Sequence, residues 1–343
     1  MWLRTIRLMT TALPSLGVSL GLWQDRPSDE VLVTALAADR LDFNELWIGE
    51  MATYDAFALG AVIAERTQRI PLTLGPFAVA VRDPVMIAMG VASVAELTGR
   101  RVNVAIGSSS PMVAEQWHGR VQRRPALALR EMASALRVLL AGEKLNFEGE
   151  VLRSQGYRLR ATPPHSELTI AAFGAGAINV AATMADRMVV NLITPQLAGR
   201  LAQAMRDDAQ RASRSAPRVA AWVTAAVDPS VDSFEQLRRG IVGYLGAPGY
   251  GEMFAEAGFG DVVSFARQDP HPRDLLAVIP DELVKSVSLI GDLDEVRAGL
   301  VNYAEVGVDE VIVVPSSVQS DPGGVHTLEC LARLSDSSRT GAK

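Results

Sequence analysis

Short aliphatic runs alternate with longer segments of helical period along most of this chain, the pattern that βαβ units write into a sequence. Strands are predicted over residues 16–20, 45–48, 70–76, 102–106, 168–172, 188–192, 219–226 and 310–314. The helical segments between and after them cover 54–67, 84–98, 126–141, 175–184, 195–212, 234–244, 293–305 and 325–334. The first helix is expected to be capped by Ser28, with Asp29 and Glu30 in its opening turn, where acids suit the positive helix end. Pro84 fits a first helical turn and Gly99 a helix stop. Eight strands, each followed by a helix, match the count of a (β/α)8 TIM barrel. A doubly wound sheet of eight strands gives the same periodicity, so that alternative stays open. Two stretches interrupt the rhythm. Residues 145–160 are expected to form a small hairpin, with turns near Gly149 and Gly156. Residues 247–285 carry Tyr250, Phe254, Phe259 and Phe265 among glycines and prolines. Such a stretch either covers a site as a lid or merely packs.

Composition narrows the class. With 48% hydrophobic and 21% charged residues, the chain can bury an ample aliphatic core. Residues 15–335 are expected to form one domain, with 1–14 and 336–343 as poorly ordered tails and Met9 an alternative start. A net charge of −6 and no basic run beyond the pairs Arg100–Arg101 and Arg123–Arg124 argue against a nucleic-acid surface. No segment nears the roughly 18 unbroken apolar residues of a membrane span. One cysteine, Cys330, allows no internal disulfide, and a cytoplasmic location is expected.

In a barrel, chemistry is sought just after the C-terminal ends of the strands. Glu50 closes the second strand, and a carboxylate there either faces a site or finds a structural partner. After the fourth strand come Gly107, Ser108, Ser109, Ser110 and Pro111, whose hydroxyls and backbone N–H groups suit an anion or a ring edge. Trp117 and His118 follow in the same loop, facing either a substrate or solvent. After the fifth strand, Gly174, Ala175 and Gly176 lead straight into a helix, where a phosphate could meet the positive end. They do not make a dinucleotide fingerprint, because Asn179 stands where the third glycine belongs. The histidines His118, His165, His271 and His326 show no HxH or HExxH spacing, so no metal site is expected. Neither a GxSxG elbow nor a phosphate-binding GxxxxGK[ST] loop occurs.

Three stretches in order carry a family resemblance. Residues 88–106 hold Ala95-Glu96-Leu97-Thr98-Gly99-Arg100 between helix and strand; 170–192 hold the glycine-rich turn and Ala185-Asp186-Arg187; 287–315 hold Ala304-Glu305-Val306-Gly307-Val308-Asp309. Over roughly residues 16–334 the chain resembles the luciferase-like monooxygenase superfamily, in particular its F420-dependent oxidoreductases and methylenetetrahydromethanopterin reductases. The resemblance implies a (β/α)8 barrel holding coenzyme F420, with FMN as the alternative cofactor, and hydride transfer to a small organic substrate. It implies a non-prolyl cis peptide at Phe77–Ala78 backing the cofactor ring and Glu50 beside that ring. Gly107–Ser110 and Gly174–Gly176 would hold the ring edge and the phosphate, with Asn191 in the site wall. Apart from the resemblance, Trp23, after strand one, either lines the substrate pocket or packs, and Trp117 is the other candidate for that lining, beside His118. Arg82, Arg120, Arg123 and Arg124 are the local counter-charges for an acidic cofactor tail. A homodimer is also implied. One departure matters: relatives that oxidise alcohols tend to follow the strand-two acid with histidine, and this chain has Met51. A monooxygenase using FMN, or a non-catalytic cofactor binder, remain the other readings.

Overall fold

Eight parallel strands close on themselves in the computed structural model of the chain, which describes residues 12–50, 52–162 and 164–340, with side chains to Leu334. In chain order the strands are β1 (Ser15–Ser19), β2 (Leu46–Ile48), β3 (Leu72–Ala78), β4 (Val102–Gly107), β5 (Leu145–Glu148), β6 (Arg153–Tyr157), β7 (Leu168–Ala171), β8 (Arg187–Asn191), β9 (Arg218–Val227), β10 (Ser288–Gly291) and β11 (Glu310–Pro315). The ring runs β1-β2-β3-β4-β7-β8-β9-β11 and returns to β1, every pairing parallel. The pairings β8–β9 and β11–β1 remove the free edges that a doubly wound sheet would keep, so the barrel reading holds. Of the expected tails at 1–14 and 336–343, residues 1–11, with the alternative start at Met9, and 341–343 lie outside the described residues, while 336–340 are helical. Among the described residues no helix is long and apolar enough to cross a membrane.

Several expectations shift on contact with the structure. The first helix spans Glu30–Arg40 with Asp29, not Ser28, at its cap, and no side chain caps it; the Ser28 hydroxyl instead accepts from Tyr54 Oη at 3.1 Å. Strand β10 was not anticipated. Its four residues pair with Thr224–Val227, the end of β9 beyond its pairing with β8. The closing helix runs on to Thr340, past the expected end at 334. The hairpin β5–β6 forms where expected. Glu131 pins it, its carboxylate accepting from the backbone N–H groups of Glu150, Val151 and Leu152 at 2.9, 2.9 and 2.7 Å. Burial opposes ionisation of Glu131, but those three N–H groups outweigh it and hold the carboxyl below its ordinary range.

The expected cis peptide needs correction. The bond the structure holds cis among the described residues is Gly75–Pro76, a prolyl bond, and not Phe77–Ala78. Proline brings cis and trans close in energy, whereas a non-prolyl bond strongly prefers trans. The bulge itself is where the reading put it: register between β3 and β4 shifts between Leu74 and Phe77. Gly75 sits there at φ 109°, and a Cβ on it would lie 2.2 Å from the Ala105 carbonyl oxygen. Only glycine fits that position.

The barrel interior is layered, because every second residue of a strand points inward. Its N-terminal layer is charged. Arg187, on β8, reaches Glu310 and Glu45 at 2.8 Å each and donates to Thr169 Oγ1 and Thr73 Oγ1 at 3.1 and 3.2 Å. Asn103 Nδ2 donates to Glu45 at 2.8 Å. One step toward the C-terminal face, Trp47, Ala105, Val189, Ala220 and Ile312 form an apolar layer, with Ala171 and Trp222 packed against it. The guanidinium of Arg187 lies 4.6 Å from the centre of the Trp47 ring, joining the two layers.

Candidate active site

Above the Trp layer the inward positions become small. Gly49, Gly107 and Ala171 follow Trp47, Ala105 and Thr169 at two-residue spacing. A Cβ on Gly107 would meet Ala171 Cβ at 3.1 Å and Pro76 Cβ at 3.7 Å, and one on Gly49 would meet Trp222 at 3.7 Å and Leu22 at 3.8 Å. These residues therefore converge on the C-terminal mouth of the barrel. Trp222 presents the broad floor of this mouth, edge to face with Trp47 at 5.4 Å. Its indole N–H is buried and has no hydrogen-bond partner. Such an orphaned donor calls for an explanation.

One wall comes from the insertion at 247–285. It folds as short helices, Tyr250–Phe254, Ala255–Phe259, Gly260–Ala266, Pro272–Ala277 and Asp281–Val287. Tyr250 stacks on Phe173 at 4.4 Å and meets Tyr244 edge-on at 4.9 Å. The Tyr250 hydroxyl donates to the Asn191 carbonyl at 3.2 Å, and Asn191 Nδ2 donates to Tyr244 Oη at 3.4 Å. Burial pushes both phenols up, Tyr250 further still through the neighbouring Tyr244. Both phenols therefore stay protonated. Asn191 is thus tied to an aromatic cover over the mouth, a role its sequence position alone did not give.

Glu50 stands at the end of β2 as expected, and it has partners. Arg82 Nε donates to Glu50 Oε2 at 2.8 Å and Arg82 Nη2 to Oε1, the latter also receiving the backbone N–H of Ala56 at 3.2 Å. Arg82 also bonds Asp55, the cap of helix Ala56–Arg66, and lies over the rings of Phe57 and Phe77. The Glu50 hydrogen bond raises the Arg82 pKa despite burial. Glu50 keeps 21% of its side chain exposed. The Phe77 side chain is wholly buried against Phe57, so it cannot touch a ligand; Ala78 is half-buried.

The remaining loops divide. Ser108 is half-buried, its carbonyl accepting from Gln122 Nε2 at 2.6 Å; Ser109 and Ser110 are exposed. Ser109 has φ 65°, and Leu22 and Leu192, likewise just past strand ends, have φ 46° and 47°. Left-handed residues other than glycine are uncommon and gather at functional loops. Gly174 caps helix Ala175–Met184 with no side-chain bond, and a Cβ added to it would meet nothing within 4 Å. No side chain therefore caps the first N–H groups of that helix. Gly176 differs: a Cβ there would strike Ala126 at 2.8 Å, so this glycine serves helix packing. Trp23 is held by its indole N–H to the Pro315 carbonyl at 2.9 Å and lines a groove with Gly21, Leu22 and Ser317. Trp117 and His118 are exposed, and no hydrogen bond or ring contact among the described residues ties them to the mouth. Of the proposed counter-charges, Arg120 and Arg123 are exposed, Arg124 pairs with Glu150 and Arg82 with Glu50 and Asp55.

Trp222, Tyr244 and Tyr250 were not singled out as site residues. The available signal was a lone aromatic, Trp222, inside the otherwise small-residue strand Ala220-Ala221-Trp222-Val223-Thr224.

Comparison with known proteins agrees with this geometry. The profile of the luciferase-like monooxygenase family matches residues 9–310. A Mycobacterium tuberculosis protein with a provisional assignment as a coenzyme F420-dependent oxidoreductase is 24% identical over 335 residues, covering 89% of this chain and 96% of its own. The structure of the coenzyme F420-dependent tetrahydromethanopterin reductase from Methanopyrus kandleri superposes with a TM-score of 0.79 at 20% identity, covering 94% of this chain and 98% of that one. The oxygenating constituent of the 3,6-diketocamphane monooxygenase of Pseudomonas putida, in complex with FMN, superposes with a TM-score of 0.67 at 17% identity, covering 94% and 97%.

Proposed function

This chain belongs to the luciferase-like monooxygenase family, and from that premise we propose that it is an oxidoreductase that binds coenzyme F420 and exchanges a hydride between that cofactor and a small organic substrate. The observation that carries this reading is a barrel mouth floored by Gly49, Gly107, Ala171 and Trp222 beside an open helix N-terminus at Gly174. A flat polar ring over small residues and a phosphate on free backbone N–H groups would fit that arrangement. The names carried by the M. tuberculosis and M. kandleri proteins favour F420 over FMN.

When bound, a deazaflavin supplies two electrons as a hydride, so the protein has to orient and to keep out water. Phe173, Tyr244 and Tyr250 form the apolar cover that would exclude water. Asn191, fixed by both tyrosines, would position a ligand edge. No protein nucleophile is required. FMN is the second reading, supported by the FMN-bound monooxygenase of the same fold; the same helix terminus would take its phosphate.

Glu50, at the mouth and partly exposed, is proposed to hold or relay a proton beside the ring while fixing Arg82. Replacing it as Glu50→Gln is expected to reduce turnover about 10-fold or more. Stability should change little, because Arg82 keeps Asp55 and its two aromatic faces. Turnover equal to that of the parent, with a lowered melting temperature, would leave Glu50 only a structural partner of Arg82. Reduced or oxidised F420 followed by absorbance under anaerobic conditions provides the assay.

A further inference from the structure

At the C-terminal end of β9, outside the barrel, one side chain meets two from a distant helix. His326 Nε2 lies 3.2 Å from Asp228 Oδ2 and 3.7 Å from Cys330 Sγ, and one ligand atom from each lies within 4.8 Å of the others. We propose that Asp228, His326 and Cys330 form a binding site for a divalent transition metal of the zinc type, with water in the fourth position.

The spacing supports this directly. Zinc binds thiolate at about 2.3 Å and imidazole or carboxylate at about 2.0–2.2 Å in tetrahedral geometry. Tetrahedral edges built from those bonds are about 3.6 Å for sulfur to nitrogen and about 3.3 Å for nitrogen to oxygen, close to the separations found with no ion present. His326 and Cys330 are four residues apart on helix Val325–Thr340, so they share one helix face. Asp228 is held in a left-handed conformation, φ 50°, and its N–H donates to the Gly291 carbonyl at 2.9 Å. Val227 N–H donates to Thr327 Oγ1 at 3.1 Å. The Thr327 hydroxyl thus already holds the helix bearing His326 and Cys330 to the strand end bearing Asp228.

The surroundings favour a cation over a reactive thiol. Cys330 is 4% exposed, which closes its sulfur to outside electrophiles, while His326 Nε2 stands 3.7 Å from it. On metal binding the Cys330 S–H bond breaks, sulfur bonds to the metal and the proton leaves to solvent. A soft thiolate with an imidazole and one carboxylate selects zinc or cobalt over magnesium or calcium. Bound there, the ion clamps the end of β9 to the start of the last helix.

The test is titration of the dialysed full-length protein with cobalt(II), and then with zinc(II) in competition. The expected result is a thiolate-to-cobalt charge-transfer band that saturates at one ion per chain, is displaced by zinc, and accompanies a higher melting temperature. Cys330→Ser should abolish the band. His326→Gln should weaken binding by about 100-fold or more, since losing even an outer-shell partner costs about 10–100-fold. Asp228→Asn, which tolerates the left-handed backbone, should weaken binding while leaving the unliganded fold intact by circular dichroism. Absence of the band, or cobalt binding unchanged in His326→Gln, would overturn the site.

Discussion

Arg187→Met is expected to destabilise the fold by about 3–5 kcal/mol, the usual cost of breaking a buried ion pair from one side. Arg187 is 3% exposed, and Glu45 and Glu310 are 9% and 10% exposed. Their partners after the substitution differ. Glu310 keeps Arg218 at 2.7 Å, whereas Glu45 keeps only Thr73 and Asn103, both neutral. The cost therefore concentrates on Glu45. Adding Glu45→Gln to Arg187→Met should recover a large part of the loss, because the uncompensated buried charge is gone. Urea unfolding of the single and double variants measures both quantities. A single variant within 1 kcal/mol of the parent would mean that water reaches this layer and that the barrel base is not sealed.

The second large effect is at the other end of the barrel and has opposite signs in two measurements. Gly174→Asp should leave the fold unchanged or slightly more stable, because a Cβ there meets nothing and aspartate is a favoured cap. Its backbone, φ −84° and ψ 158°, is open to any residue. The same carboxylate would stand where the phosphate of the cofactor is proposed to sit. A like charge about 5 Å away at an effective dielectric of about 20 costs about 3 kcal/mol, so cofactor affinity should fall by at least about 30-fold. Calorimetry gives the affinity and thermal melting the stability. Loss of both together would instead make Gly174 a folding position, and loss of neither would move the phosphate elsewhere.

Much of the fold was legible because a barrel strand buried on its outer face by helices is a short aliphatic run, and eight such runs stand in the sequence. Strand β10 escaped because its four residues follow directly on the helix Asp281–Val287, with no turn residue to separate the two. The charged layer was invisible for a different reason. Glu45, Thr73, Asn103, Thr169, Arg187 and Glu310 each read as one polar residue in an apolar run, and only closure of the ring brings them together. The site was legible by position more than by partner. Glu50, Gly107 and Gly174 lie at strand ends, where a barrel puts chemistry. That Arg82 occupies Glu50, that Gly176 packs on Ala126, and that Tyr244 and Tyr250 cover Asn191 are long-range facts that periodicity does not contain. The cis bond shows the limit of resemblance: it located the bulge, while the bond itself followed the local proline, Pro76.

A barrel mouth built for a deazaflavin should prefer it in a fluorescence titration of the cofactor-free protein with F420 and, separately, with FMN. The expected result is saturable F420 binding at least about 10-fold tighter than FMN, a difference of about 1.4 kcal/mol. Tighter binding of FMN would contradict it and make the protein a flavin enzyme on the same scaffold, and binding of neither would remove the oxidoreductase reading altogether.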